Sequence, residues 1–113
     1  LSNRDIVARN YTKALNGTVK IPIIKKGRSS TWAQYTIRDN NRDLLKKKLA
    51  EKGIPVAIHY PLPLHLQECY KYLGYSMGDF SKAENASKEV LSLPMNPFLL
   101  KGEIQHIAAI LNE

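Results

Sequence analysis

Cysteine is almost missing from this chain. Cys69 stands alone, so no internal disulfide framework can form, and such a sequence suits a reducing compartment. Long apolar runs are missing too: none approaches the roughly 18 to 20 residues that cross a bilayer, which argues against a membrane partner. The opening Leu1-Ser2-Asn3-Arg4-Asp5 lacks the basic stretch leading into an apolar one that marks a secretory signal. Internal repeats, low-complexity segments and glycine-rich phosphate loops are likewise absent. What remains is 113 residues with 43% hydrophobic content, which fits one compact domain with a modest core. The chain lacks an initiating Met and opens on a helix-cap pattern. The expectation is a cytoplasmic piece of a longer protein.

Charge is unevenly placed. The chain carries a net +7, yet residues 1–52 hold 13 Lys and Arg against 4 Asp and Glu, and residues 53–113 hold 4 against 6. A basic half can attract nucleic acid, anionic lipid or a phosphorylated small molecule. It can equally be a solvated face. Lys46-Lys47-Lys48 covers most of a helical circumference and so cannot form one stripe.

Periodicity predicts the elements. Ser2 with Asp5 resembles a capping box for a helix carrying Val7, Tyr11 and Leu15, with Gly17 placed to end it. Val19, Ile21 and Ile23 alternate as a strand would, and residues 32–37 have β composition, so the two runs are expected to pair across a basic tip. Asn40 or Asn41 should cap a second helix with Leu44, Leu45 and Leu49. Residues 55–58 suggest a short strand, and 67–73 a short helix ending at Gly74. Ser81-Lys82-Ala83-Glu84 is a full capping-box pattern for a helix with Ala83, Ala86 and Val90 as its apolar side. Residues 91–94 suggest a buried strand stub, and Ile104, Ile107, Ala108 and Leu111 one face of a terminal helix. The order implies an α+β domain with a small, largely antiparallel sheet and helices packed on one side.

The stretch His59-Tyr60-Pro61-Leu62-Pro63-Leu64-His65-Leu66-Gln67 draws most attention. Two prolines fix φ and favour extended neighbours, making a stiff loop that holds polar side chains in place. A metal site from His59, His65 and Cys69 has no tetrahedral ligand spacing behind it, so no metal is expected. Cys69 could be a nucleophile beside His65, but among Leu66, Tyr70 and Leu73 a small core residue is the better expectation. No lysine stands in a setting that suggests burial beside a cofactor. A basic surface with Tyr11, Trp32 and Tyr35 as stacking groups would suit nucleic acid, although no helix-turn-helix, KH or RRM pattern supports it and no nucleic-acid partner is expected.

Five blocks then occur in order: Ser29-Ser30-Thr31-Trp32-Ala33-Gln34-Tyr35-Thr36-Ile37, Asn41-Arg42-Asp43-Leu44-Leu45, Gly53-Ile54-Pro55, the proline loop from His59 to Gln67, and Leu91-Ser92-Leu93-Pro94-Met95. Together they resemble the C-terminal domain of the DegT-like nucleotide-sugar aminotransferases, pyridoxal-phosphate enzymes of fold type I. The resemblance implies that residues 1–113 are a single small C-terminal domain, with the large domain and its Schiff-base lysine upstream of residue 1. The intact parent would move an amino group, typically from glutamate, onto a keto-sugar linked to a nucleoside diphosphate. It would work as a homodimer with pyridoxal 5'-phosphate, while this piece alone would hold no cofactor and be inactive.

Carried over by position, His59 and Tyr60 match the pair that reaches toward the sugar, in a positioning role and not a covalent one. His65 and Gln67 match the next part of the motif, with a structural and a substrate role weighed equally. Gln34 or Tyr35 would point at the cleft, and the Lys25 to Arg28 tip would either favour an anionic diphosphate or be a solvated loop. No residue is expected to act covalently. Blocks 29–37 and 59–67 look most like members acting on UDP-linked acetamido sugars, with dTDP-linked keto-sugars next. The alternatives are a non-catalytic basic α+β binding module and a family member turned regulator.

Overall fold

The computed structural model describes residues 2–15 and 17–113, with Ser2 by its backbone alone. Four α-helices, α1 (Ser2–Ala14), α2 (Arg42–Glu51), α3 (Ser81–Glu89) and α4 (Lys101–Leu111), surround strands β1 (Tyr35–Arg38) and β2 (Val90–Leu93). Two short 3₁₀ turns, Leu64–Leu66 and Glu68–Leu73, follow the proline loop. The expected α+β class and antiparallel pairing hold: Tyr35 faces Leu93, Thr36 faces Ser92, Ile37 faces Leu91 and Arg38 faces Val90.

Because side chains alternate along a strand, this register sorts them by face. Tyr35, Ile37, Leu91 and Leu93 share one face and are all buried. Against it lie Val7, Ala8 and Tyr11 of α1, Leu49 of α2, and Ile104, Ile107, Ala108 and Leu111 of α4. Tyr11 and Trp32 both stack on Tyr35, with ring centroids 4.8 and 5.6 Å away. Such pairs add about 0.5–1.5 kcal/mol beyond the area they bury. Tyr11 donates its hydroxyl to the Pro94 carbonyl at 2.6 Å, and the Tyr35 hydroxyl meets Thr12 Oγ1 at 2.9 Å. Burial, followed by the nearby Tyr35 phenol, pushes the Tyr11 hydroxyl above the ordinary phenol range. The three rings that a nucleic-acid surface would have used for stacking are therefore core.

Several local expectations give way to tertiary context. The 19–23 run makes only one antiparallel bridge, Lys20 to Arg38, because Pro22 has no N–H to continue a ladder; Ile23 ends up 84% exposed. Residues 55–58 likewise contribute one bridge, Ala57 to Ser92, with bonds of 3.2 and 2.7 Å. Strand β1 starts at Tyr35 because Trp32 adopts φ 53°, which breaks extended geometry. Asn41 precedes α2 without a side-chain cap. The cap expected from the Ser2 side chain lies outside the described residues. Asp5 instead pairs with Arg9 at 2.8 Å and accepts the Trp32 indole N–H at 3.3 Å.

The largest reversal is in α3. Ala83 is exposed and Ala86 half-buried, whereas the buried residues of that helix are Glu84 and Ser87. Arg42, itself buried, donates to the Ser87 and Val90 carbonyls at 3.0 and 2.9 Å. The polar side of α3 thus faces protein, and its small apolar side faces a cleft.

Candidate functional site

Ser92 sits within β2 opposite Thr36 of β1, and its backbone N–H and C=O both bond to Ala57, at 2.7 and 3.2 Å. Its hydroxyl lies 3.0 Å from Thr36 Oγ1 and 3.1 Å from Nδ1 of His59. A cross-strand hydroxyl pair thereby tethers the histidine ring above the sheet face opposite the core. Tyr60 follows through a cis peptide bond and packs edge-on against His59, with centroids 5.3 Å apart. Tyr60 is 65% exposed, while His59 is half-buried.

Two clefts meet at His59. The larger, about 690 Å³, runs between the proline loop and α3, with Tyr60, Tyr70, Leu73, Phe80 and Ala86 in its walls. The smaller, about 340 Å³, is walled by Gln34, Val56, Ser92 and Met95. The sequence-predicted residues are thus distributed around one ring. His59 belongs to both clefts, Tyr60 to the larger and the exposed Gln34 to the smaller. Tyr35, the other candidate for pointing at a cleft, is fully buried in the core instead, because its register position puts it on the apolar face.

His65 and Gln67 brace the loop. The Gln67 side-chain amide donates to the Leu62 carbonyl at 3.2 Å. His65 is buried, with Nε2 2.9 Å from Glu84 Oε2 and its ring edge-on to Phe80 at 4.8 Å. Glu84 also accepts the backbone amides of Gly78 at 2.8 Å and Phe80 at 3.1 Å. The Gly78 amide foremost, then His65 and Phe80, hold its carboxyl below the usual carboxylate range. One carboxylate therefore ties the proline loop, the 75–80 turn and α3 together. This is not the expected box: Ser81 is already helical, Phe80 precedes α3, and Glu84 reaches back to the cap backbone without a side-chain bond in return.

Cys69 is exposed, not a core residue, because the turn Glu68–Leu73 has no buried side chain. Among the described residues no group of three or more His, Cys, Asp or Glu is arranged to hold a metal ion. No helix of the described residues is long and apolar enough to cross a membrane. Ser92, Thr36 and Glu84 are parts of the site that sequence reasoning missed. A faint signal existed for Ser92, a polar residue between two apolar ones in a strand.

A third cleft, about 720 Å³, lies beside α1 and carries Arg9, Lys13 and Arg28 with several hydroxyls. Lys13 is exposed and Arg9 is engaged by Asp5. Neither cleft at His59 has a lysine or arginine in its walls. The described residues therefore supply no enclosed amine for a Schiff base with pyridoxal phosphate there. What the site offers is an oriented imidazole, an exposed phenol, a side-chain amide and an apolar wall, which can orient a ligand by hydrogen bonding and shape.

The DegT/DnrJ/EryC1/StrS aminotransferase family model matches residues 1–112. A pleiotropic regulatory protein of Geobacillus stearothermophilus is 43% identical over 88% of this chain and 28% of its own length. The UDP-2-acetamido-2-deoxy-3-oxo-D-glucuronate aminotransferase of Pseudomonas aeruginosa is 34% identical over 96% of this chain and 30% of its own. The crystal structure of a DegT DnrJ EryC1 StrS aminotransferase from Brucella abortus superposes with a TM-score of 0.89 at 41% identity, covering 97% of this chain and 30% of that one. The chain spans about 30% of the length of the curated relatives it matches. It belongs to the DegT/DnrJ/EryC1/StrS aminotransferase family.

Proposed function

We propose that this chain is the small C-terminal domain of a pyridoxal-phosphate-dependent nucleotide-sugar aminotransferase, and that it supplies one wall of the substrate site. The observation that carries the reading is the tethered His59, held at the shared edge of two clefts beside the exposed Tyr60. The cofactor supplies the electron sink for amino transfer, and the lysine that binds it belongs to the large domain, upstream of residue 1. This domain binds and orients the sugar: His59 and Tyr60 offer hydrogen bonds, Gln34 adds an amide, and the aromatic wall excludes water. Such positioning matters because small misplacements cost rate where orientation sets the barrier.

The substrate is a nucleoside-diphosphate keto-sugar, with glutamate as amino donor. The UDP-linked acetamido class is favoured by the pseudomonal relative's name and its match over nearly the whole chain. The parent works as a cytoplasmic homodimer, and an exposed, unpaired Cys69 suits that compartment. A second reading, a regulator that retains the fold, is favoured by the 43% identity to the regulatory protein of Geobacillus.

His59→Ala in the full-length parent is the test. The reading expects KM for the sugar to rise about tenfold, the worth of a hydrogen bond or two, with a smaller change in kcat. Unchanged KM and kcat would remove the substrate role. Absence of any transamination in the wild-type parent would favour the regulator.

A further inference from the structure

We propose that Ser92 is a positioning residue: its hydroxyl, which lies between Thr36 and His59 in a short relay, fixes the neutral His59 ring as the Nε2–H tautomer, so that it presents an N–H donor to the ligand. The geometry allows two directions of hydrogen bonding along Thr36 Oγ1, Ser92 Oγ and His59 Nδ1, spaced at 3.0 and 3.1 Å. In the first, Thr36 donates to Ser92, Ser92 donates to Nδ1, and the ring proton resides on Nε2. In the second, Nδ1–H donates to Ser92, Ser92 donates to Thr36, and the Thr36 proton needs a further acceptor.

Among the described residues the Thr36 hydroxyl has no partner other than Ser92. Only the first direction therefore gives every hydroxyl proton a protein acceptor. Ser92 is 5% exposed and Thr36 half-buried, which makes an unmatched hydroxyl costly there. The backbone N–H and C=O of Ser92 are both bonded to Ala57, so its side chain has a fixed origin. The direction of the second bond of a histidine decides which nitrogen carries the proton.

His59 Nε2 makes no hydrogen bond within the protein among the described residues. As an N–H it recognises an oxygen acceptor: a sugar hydroxyl or a keto oxygen. That consequence rests on the reading of His59 as a substrate contact, whereas the relay itself stands on the geometry of β1 and β2.

Nitrogen-15 NMR of the 113-residue chain at neutral pH tests the relay directly. The expected result is Nδ1 of His59 in the unprotonated range and Nε2 in the protonated range. Ser92→Ala should release the ring into a mixture of tautomers, whereas Thr36→Val, which leaves Nδ1 as the protein acceptor for the Ser92 hydroxyl, should keep the Nε2–H form. A wild-type ring protonated on Nδ1, or a tautomer unmoved by Ser92→Ala, overturns the relay. Should Ser92→Ala fail to fold, the wild-type and Thr36→Val spectra still decide, because a ring protonated on Nδ1 in either overturns it.

In the full-length parent, Ser92→Ala should raise the sugar KM about fivefold with kcat little changed, as expected for one oriented hydrogen bond. A fixed tautomer with no KM effect of either His59→Ala or Ser92→Ala upholds the relay and overturns the substrate reading. A KM effect of His59→Ala with a tautomer indifferent to Ser92→Ala does the reverse.

Discussion

On one face of the β1–β2 ladder, Tyr35, Ile37, Leu91 and Leu93 are closed from water beneath α1, α2 and α4; on the other, Thr36 and Ser92 hold His59 above an open surface. Beyond His59 the contrast widens. Residues 60–80 leave Tyr60, Leu64, Tyr72, Leu73, Met77 and Phe80 exposed, while α1 and α4 bury almost every apolar side chain on their inner stripes. Successive residues of a strand therefore divide two tasks. Odd-numbered positions of both β1 and β2 carry stability, even-numbered ones of the same four-residue segments carry orientation of the site. Because the pleat sends neighbours to opposite faces, the two tasks can be changed almost independently.

The sharpest break of that comparison is on the core face. Ile37→Ala removes a fully buried side chain packed against helices and should cost about 2–5 kcal/mol. Urea denaturation reads this as a lowered midpoint at unchanged slope. A loss under about 1 kcal/mol would mean that this face is less tightly packed than its burial indicates.

Glu84 lies between the two regions and gives an intermediate, pH-dependent effect. Its folded carboxyl titrates below the ordinary value of 4.5, chiefly through the Gly78 amide. A depressed acid contributes stability above its unfolded pKa and loses it as pH falls through the folded one. The wild-type midpoint should therefore drop on acidification below the normal carboxylate range. Glu84→Gln should start lower at neutral pH and converge on wild type in acid. Parallel curves would show that the clasp with His65 is not what the carboxylate stabilises.

The smallest effect belongs to the arm formed by residues 60–80. Tyr72 is 80% exposed on a 3₁₀ turn with no buried residue, so Tyr72→Ala should shift stability by no more than about 0.5 kcal/mol. A larger loss, read by the same denaturation, would make the arm part of the core and erase the division.

How much of this was legible in the chain depended on range. The inner stripes of α1 and α4 follow from apolar residues three and four apart, and the β2 stub from a short apolar run. Gly74 ends its short helix at φ 79°, as glycine permits and other residues resist. The failures share a cause. Alternation at 19–23 looked like a strand, but Pro22 limits it to one bridge. Cys69 looked like core because its neighbours are apolar, yet two of them, Tyr70 and Leu73, face a cleft. Ser81 to Glu84 spells a capping box, yet the buried carboxylate accepts hydrogen bonds from Gly78, Phe80 and His65.

The sequence by itself determined the α+β class, which rests on local periodicity, and the family, which rests on motif blocks read in order along the chain. Only the tertiary structure decided which side chains meet His59. Thr36 and Ser92 lie 23 and 33 positions from it, and a hydrogen bond across such a separation exists only once the strand register is set. The same holds for His65 and Glu84, 19 residues apart and joined through burial that no local pattern encodes. Period and composition act along the chain, whereas a site is made of contacts between parts of the chain that folding brings together.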